Sequence, residues 1–578
     1  MGFGKIPHGD TVALDTTMSG AEPTDEQIDK TQYEPSQSAS HGVRNVEAIT
    51  LTWTKKTLAA AFISMWALYC VNAFQGGING TLSPYQVSSW EEHSLLTVIY
   101  IVSNSMAAAV YIPVAKMLDV WGRAEGFAVL AGISTIGLIL SASATSLSTF
   151  CAANVFYTIG FSGMIYSIDV ITADSSTLKN RAFAYAFTSS PYMISAFTAP
   201  LAAEKLYNAI GWRWGFGIFS IVLPCVAVPL FAILRINLSK AKKQGMVVKE
   251  RSGRTMLQNV IHYIHEFDVP GVFLLATGLV IFLLPFTLAY SAPSGWSTGY
   301  IIAMLILGLI LLVIFGLHER YTAQRPFITY SLLTDRTIIG ACLLCACYQI
   351  SYYCWSSYYS SFLQVVTELS IAEAGYVINT FDVVSGALLL VVGFAISKTG
   401  YFRWLLYIAI PLYILGQGLM IYFRHANTSV GYLVMCQILI SVGGSVFILV
   451  QQVAVLAAAD HQQVASALAL LSMVGWIGGA IGNSISGAIW TNSFPKALAE
   501  LLPASAQADL DDIYGSLDVQ LSYPVGGPVR TAIKQAYGVA QARMLIAGTS
   551  IMALSFASMF LIRNYNLSKM QQTKGRLF

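Results

Sequence analysis

Apolar residues run in blocks long enough to cross a bilayer, and polar residues gather in the short gaps between them. A hydrocarbon core about 30 Å thick takes roughly 20 helical residues to span. Fourteen such blocks lie between Thr57 and Arg563, at about 57–78, 94–117, 126–145, 150–172, 182–204, 214–236, 270–290, 299–318, 337–361, 374–397, 403–423, 431–457, 464–490 and 541–563. Backbone groups left unpaired in lipid are costly, so each block is predicted as a helix and not as a loop or open strand. The fold class expected is an all-α polytopic membrane protein with 14 transmembrane helices.

Composition agrees with the pattern. The chain is 55% hydrophobic and only 11% charged, with a mean hydropathy of +0.62, which excludes a water-soluble domain of this size. An even number of spans puts both termini on one side. Leaving out the residues before the first span, one set of loops and span ends carries 20 Lys and Arg and the other carries 7. The rich set includes Arg123, Lys179, Arg181 and the 236–269 segment with Lys240, Lys242, Lys243, Lys249, Arg251 and Arg254. The positive-inside bias makes that side, and both termini, cytoplasmic. Sequons at Asn79 and Asn427 then fall outside as glycosylation candidates, while those at Asn237 and Asn566 fall inside. The first 54 residues are polar and lack an apolar h-region, so a disordered cytoplasmic tail without a cleaved signal is expected. Net charge is +3, and its asymmetry follows topology, so no nucleic-acid partner is expected. All eight cysteines sit in the spans; Cys342, Cys345 and Cys347 lack His partners and suit apolar packing better than a metal site.

The clearest motif follows the second span, as Leu118-Asp119-Val120-Trp121-Gly122-Arg123. Gly122 permits a tight reversal, and Asp119 and Arg123 can make charge-assisted contacts with neighbouring helix ends. This Asp-x-x-Gly-Arg turn resembles the signature of the major facilitator superfamily, although Ala124-Glu125 stands where a further basic residue often follows. A weaker echo runs from Gly393 through Lys398 and Gly400 to Arg403, between spans 10 and 11. The resemblance implies two six-helix halves, residues 55–236 and 321–565, with two extra helices at 270–320 after a cytoplasmic loop at 237–269. Residues 491–540 would form an extracellular loop, and 566–578 a cytoplasmic tail.

Carboxylates inside spans are costly unless paired, hydrated or protonated. Asp174 lies near the cytoplasmic ends and is expected to pair with Arg123 or Arg181, completing the gate with Asp119 and Gly122. Asp169 lies about 7.5 Å deeper at 1.5 Å per residue. It fits either proton coupling or a share in the gate network. Asp382, two turns into span 10, has no basic neighbour in its own helix and fits substrate binding, proton carriage or a cross-helix hydrogen bond.

Span 9 concentrates aromatic residues. Tyr348, Tyr352, Trp355 and Tyr359 recur on one helical stripe, with Gln349 beside them. An interfacial belt would account for Tyr358 to Phe362, but Tyr348 and Tyr352 lie mid-span, where polar atoms want a partner or a wet cavity. Span 1 offers Trp66, Tyr69, Asn72 and Gln75. Spans 1, 9 and 10 are therefore expected to line a large cavity open to the outside. Gly475, Gly478, Gly479, Gly482, Ser486 and Gly487 have the spacing of close helix packing. No Lys or Arg occupies the middle of any span, and no metal-ligating cluster is evident. The cargo should be large, near-neutral and rich in hydrogen-bonding groups.

Together with the fourteen spans and the 491–540 segment, the Asp119–Gly126 turn and the Trp355–Ser360 run resemble the fungal siderophore–iron transporter family over roughly residues 55–565. Membership implies proton-coupled uptake of ferric siderophores by a plasma-membrane protein, or one of endosomal vesicles. It also implies substrate capture by the late extracellular loop, to which Tyr523, Arg530 and Tyr537 would contribute. Fe3+ would travel inside its own chelate, so no resident cofactor or metal is expected; the partners would be the siderophore, protons and the lipid bilayer, with the chain a monomer. A neutral ferric hydroxamate of fusarinine or ferrichrome type suits a chamber without cations better than an anionic catecholate. Two other readings stand beside this one. A drug/proton antiporter of the same fold would carry Gly-Pro-x-x-Gly-Gly in span 5, where this chain has Ala199-Pro200-Leu201-Ala202-Ala203. A non-transporting nutrient receptor would bind without moving its ligand. No nucleophile–base set or cofactor loop supports an enzyme.

Overall fold

The computed structural model describes residues 52–176, 181–244, 255–323, 330–459 and 464–567. The tail through residue 51, Lys179, Lys249, Arg251, Arg254 and residues 568–578 lie outside the described residues. Among the described residues, regular structure is helical throughout. The first half comprises α1 (Lys55–Ser88), α2 (Leu96–Trp121), α3 (Arg123–Ser143), α4 (Leu147–Ser175), α5 (Arg181–Ser189), α6 (Pro191–Ile210) and α7 (Trp214–Lys243). Next come α8 (Met256–Glu266), α9 (Val269–Leu288), α10 (Gly299–Tyr321) and α11 (Tyr330–Thr334). The second half comprises α12 (Arg336–Ser356), α13 (Tyr359–Val365), α14 (Ile371–Thr399), α15 (Trp404–Phe423), α16 (Val430–Ala458) and α17 (Val464–Leu501). It ends with α18 (Leu510–Gly515), α19 (Leu517–Ser522), α20 (Pro528–Met552) and α21 (Ser555–Leu561).

Thirteen helical segments among the described residues are long and apolar enough to span. The fifth expected span is instead divided between α5 and α6. Pro191 has no N–H to continue the ladder, and Glu204 with Lys205 dilutes the apolar run. Several starts are written locally: Thr54 and Ser370 close capping boxes over α1 and α14. The halves meet where α2 lies along α17 and α6 along α14, and α9 of the extra pair packs against both α2 and α17. Small residues permit close approaches both within the second half and at this seam. A Cβ on Gly482 would stand 2.7 Å from the Ile350 carbonyl oxygen, and one on Gly487 would meet Thr287 and Thr97 hydroxyls at 2.3 and 2.4 Å.

Two helix lengths correct the sequence reading. The first span does not stop at residue 78, because α1 runs on to Ser88. Asn79 is thus inside a helix, its side-chain oxygen accepting from Ser83 at 3.2 Å, and it is not a loop glycosylation acceptor. Asn427, by contrast, is exposed in the turn before α16. Nor is 491–540 all loop. α17 continues to Leu501 and α20 begins at Pro528, leaving 502–527 as a cap built from short helical turns. Aromatic stacking holds the extensions together: Trp490 lies 4.2 Å from Phe494 and 5.1 Å from Tyr537, ring centre to ring centre.

Candidate functional site

Between the halves lies a chamber with two lobes of about 480 and 560 Å3. The first lobe sits toward the capped end and is faced by Asn72, Tyr352, Trp355, Tyr359, Asn379 and Asp382. The second lies toward the Asp119–Arg123 end and includes Asp169, Gln349, Asn154 and Gln451. Gly76, Gly80, Tyr100, Phe161, Tyr192 and Tyr353 border both. Asp382 and Asp169 are the ionisable carboxylates on these walls, and no Lys or Arg is among the described lining residues.

The expected binding residues therefore divide. Asn72, Tyr352, Trp355, Tyr359 and Asp382 face the first lobe and Gln349 the second. Trp66 donates its indole N–H to Ser190 at 3.0 Å and faces neither lobe. Tyr69 donates to the Asp169 carboxylate, so it supports an acid rather than a ligand. Gln75 is buried in the first half, and Tyr348 is buried against Tyr413 and Phe447, each 5.8 Å away. Tyr348 shares the stripe of Tyr352 but lies a turn further along it, where the helix already meets Tyr413 of α15 and Phe447 of α16. Tyr358 to Phe362 do not form an exposed belt either; Tyr358, Tyr359 and Phe362 are at most 1% exposed.

Behind the first lobe stands a cation that the spans alone did not reveal. Arg424, immediately after α15, is fully buried, with its guanidinium carbon 4.6 Å from the Trp355 ring centre and 4.0 Å from that of Tyr359. It donates to the Gln541 side-chain oxygen at 2.9 Å. The two rings stand between this charge and the chamber, so the wall that a cargo meets is aromatic while its support is cationic.

At the opposite end the expected contacts of Arg123 are made. Arg123 donates through Nη1 to Asp119 at 2.6 Å and through Nε to Asp174 at 3.0 Å. Gly122 joins α2 to α3 in a single residue at φ 107°, a conformation that disfavours any side chain. Glu125, in place of the familiar basic residue, pairs with Arg235. In the second half the echo keeps its turn, with Gly400 at φ 69° ending α14.

The capped end is bridged rather than open. Tyr85 donates to the Gln364 side-chain oxygen, and Tyr358 donates to the Ser94 carbonyl at 2.7 Å. Arg530, 3% exposed, donates to the Gln520 and Gln364 carbonyls; Tyr537, fully buried, donates to the Gln520 side chain at 2.7 Å. Tyr523 alone of the three expected capture residues reaches the surface, donating to Asp509 at 3.1 Å. Tyr207 donates to Asp518 at 3.0 Å. Partial burial pushes the Asp518 carboxyl above its ordinary range, and the tyrosine hydroxyl acts in the other direction.

The Major Facilitator Superfamily model matches residues 57–367. The siderophore iron transporter mirB of Emericella nidulans is 57% identical over 94% of this chain and 90% of its own length. The MFS siderochrome iron transporter D of Aspergillus fumigatus is 56% identical over 94% of this chain and 91% of its own. The chain belongs to this transporter family. Among solved structures, a bacterial homologue of the lysosomal transporter Spinster, inward-facing and unoccupied, is similar with TM-score 0.56 at 16% identity, over 88% of this chain and 98% of that one. A peptide transporter POT is similar with TM-score 0.57 at 14% identity, over 90% of this chain and 99% of that one. These distant likenesses establish the fold.

For a siderophore-transporter family member, several wall residues carried a weak signal in the sequence. Asn379 stands three positions before Asp382 and so shares its helix face; it donates to the Ala196 carbonyl at 2.7 Å, tying α14 to α6. Tyr192 follows Pro191 at the break in the fifth span. Gln437 and Arg424 carried no periodic signal, because each acts from a neighbouring helix end or face.

Proposed function

We propose that this transporter takes up ferric siderophores by proton symport, with neutral hydroxamate chelates as the preferred cargo. Its relatives' names supply the cargo class. The observation that carries the charge preference is the chamber wall, which offers aromatic rings, amides and two carboxylates but no lining Lys or Arg. A neutral, bulky chelate that hides its iron meets no unpaired countercharge there, whereas a polyanionic catecholate would face Asp382 and Asp169 across a poorly solvated space. Asp169, held by Tyr69, and Asp382 are the proton-coupling candidates.

Charge bias supports placing the Asp119–Arg123 end and both termini in the cytoplasm, in a plasma membrane, with the chain acting as a monomer. On that orientation the capped end is external. The bonds across it then make this an inward-facing arrangement, with the cap released when the carrier turns outward. One proton contributes about 2.3 kcal/mol per 100 mV and about 1.4 kcal/mol per pH unit, enough to concentrate a neutral chelate. The test is uptake of iron-labelled chelates by purified protein in liposomes under an imposed pH step. Hydroxamates should accumulate with the interior alkaline. Equal uptake of a ferric catecholate would reject the charge argument, and export of an amphipathic cation would favour the antiporter.

A further inference from the structure

We propose that α8 is an interfacial helix whose apolar face enters the leaflet beside the Asp119–Arg123 turn, and that the basic stretch before it binds anionic lipid headgroups. The helix turns its apolar side away from the protein. Met256, Leu257, Val260, Ile261 and Ile264 are between 37 and 87% exposed. At about 100° per residue they fill one arc of roughly 140°. Asn259, His262, Tyr263 and Glu266 fill the opposite arc, and these are half-buried or buried. A helix packed on a protein that meets water there would carry its faces the other way round. Its 11 residues are too few to hold a helix in water unaided. The exposed arc therefore calls for an apolar neighbour.

Position says what that neighbour is. Trp121, the last residue of α2, meets Tyr263 at 5.9 Å and Phe267 at 5.7 Å between ring centres, so α8 lies level with the Asp119–Arg123 end. Directly after α8, Asp268 turns the chain at φ 45°, and α9 begins at Val269 as a segment long and apolar enough to span. Asp268 fixes the corner: its carboxylate accepts from the Gly271 N–H at 3.3 Å and lies 2.7 Å from His318 Nε2. Val269 and Phe273, on the first turns of α9, are exposed as well. The apolar arc of α8 is thus joined through a fixed corner to a helix whose own exposed side meets lipid.

Charge selects the lipid. From Lys240 to Arg254 the sequence holds six Lys or Arg against one acid, Glu250. Lys240, Lys242 and Lys243 close α7 and are exposed. Earlier on that helix Arg235 pairs with Glu125 at the start of α3, which sets this end of α7 beside the same turn. Basic residues next to an apolar helical face draw it to anionic headgroups, each worth about fivefold in binding. On the orientation that charge bias supports, the leaflet is the cytoplasmic one. Through Trp121 the bound helix also touches the residue before Gly122, so lipid composition reaches the turn that joins α2 to α3. None of this depends on which cargo the chamber takes.

The test is photo-crosslinking of full-length protein in nanodiscs of equal parts phosphatidylcholine and phosphatidylserine. The photoreactive residue p-benzoylphenylalanine replaces Ile261 in one protein and Asn259, on the opposite arc, in another. The Ile261 probe should join lipid, with phosphatidylserine favoured at least about fivefold over phosphatidylcholine. The Asn259 probe should join protein. Adding Lys240→Gln, Lys242→Gln and Lys243→Gln should lower the lipid preference at least about threefold while lipid adducts persist. Raising the salt to about 0.5 M should lower it in the same way without any change of sequence. Adducts between the Ile261 probe and residues 1–51 would show the chain's own tail covering the face, and adducts with a second copy would show a dimer; either would overturn the proposal. No adduct at Ile261 would leave the face in water, and lipid adducts from both positions alike would remove the assignment of faces. Equal labelling of the two lipids by the Ile261 probe would overturn the anionic partner.

Discussion

Replacing Gly122 by alanine tests the gate where the structure allows least choice. The residue is the sole link between Trp121, which ends α2, and Arg123, which begins α3, and it sits at φ 107° and ψ 159°. Only glycine occupies that region without strain, and forcing a side chain into it costs of order 1–3 kcal/mol. The bonds around it cannot absorb this easily. Arg123 is 10% exposed and holds Asp119, 47% exposed, and Asp174, 27% exposed. The Asp119 arm, being largely in solvent, is worth about 0–1 kcal/mol. The Asp174 arm is better shielded but is still a single charged hydrogen bond of about 1.5–3 kcal/mol. The strain therefore matches what the network gains, and the turn should relax by letting Arg123 leave Asp174. We expect Gly122→Ala to unfold about 1–3 kcal/mol more easily in detergent, and to lose most pH-driven uptake. Gly418→Ala, in α15 with nothing within 4 Å of its added Cβ, is the control and should unfold no more easily than the original chain. A Gly122→Ala protein with unaltered stability and uptake would refute the claim that this backbone conformation holds the gate together.

Four further outcomes are expected. Asp169→Asn keeps the Tyr69 contact but removes the exchangeable charge, so chelate binding should persist while uptake stops responding to an imposed pH step; intact pH-driven accumulation would withdraw its coupling role. Tyr537→Phe leaves the buried Gln520 side chain without its 2.7 Å donor, costing about 1–3 kcal/mol and speeding amide hydrogen exchange across residues 502–527; unaltered exchange would mean the cap is held elsewhere. Gly482→Ala drives a Cβ to 2.7 Å from the Ile350 carbonyl and should lower stability by about 1–3 kcal/mol, read as a fall in the unfolding temperature. Asn79→Gln should leave the electrophoretic mobility of protein from a eukaryotic host unchanged, because the residue lies within α1; a faster band would place it in a loop.

Much of the helical order was legible because lipid enforces it. Each apolar block had to satisfy its own backbone, so block length translated directly into helices such as α10 and α16. Gate residues were legible for a different reason, since Asp119, Gly122 and Arg123 act within one turn and Asp174 lies one helix away. The chamber was less so. Composition nominated Tyr348 and Trp66 as readily as Tyr352 and Trp355, and only how each stretch of helix packs on its neighbours separates those facing the lobes from those facing other helices. Helix ends failed where protein shelters polar residues from water: the apolar block stops at residue 78, yet α1 continues through half-buried Asn79 and buried Ser83 and Gln86. The cap misled for the same reason. Trp490, Phe494 and Tyr537 extend two helices past the apolar runs by stacking on one another, a long-range arrangement that no local window contains.

The cap also constrains how the carrier turns over. Besides the bonds from Tyr85 and Tyr358, the first half meets the second half and the cap through several other contacts. His93 meets Ser361 at 2.9 Å, Ser94 donates to the Tyr514 carbonyl at 2.8 Å, and Leu517 N–H donates to Ser88 at 2.9 Å. Glu204 accepts from the Ala372 N–H at 2.6 Å. Each such bond contributes about 0.5–1.5 kcal/mol net, so together they exceed the roughly 2.3 kcal/mol that one proton supplies per 100 mV. On the proposed symport, entry of one proton at about 100 mV would therefore not by itself open this end. Opening has to replace these contacts with others elsewhere, and the Arg123 bonds to Asp119 and Asp174, which lie within the first half and are already formed, are not among those it could gain. Weakening Tyr537 should therefore ease the opening of this end, whereas weakening Gly122 should loosen a network that lies within the first half and joins neither the second half nor the cap.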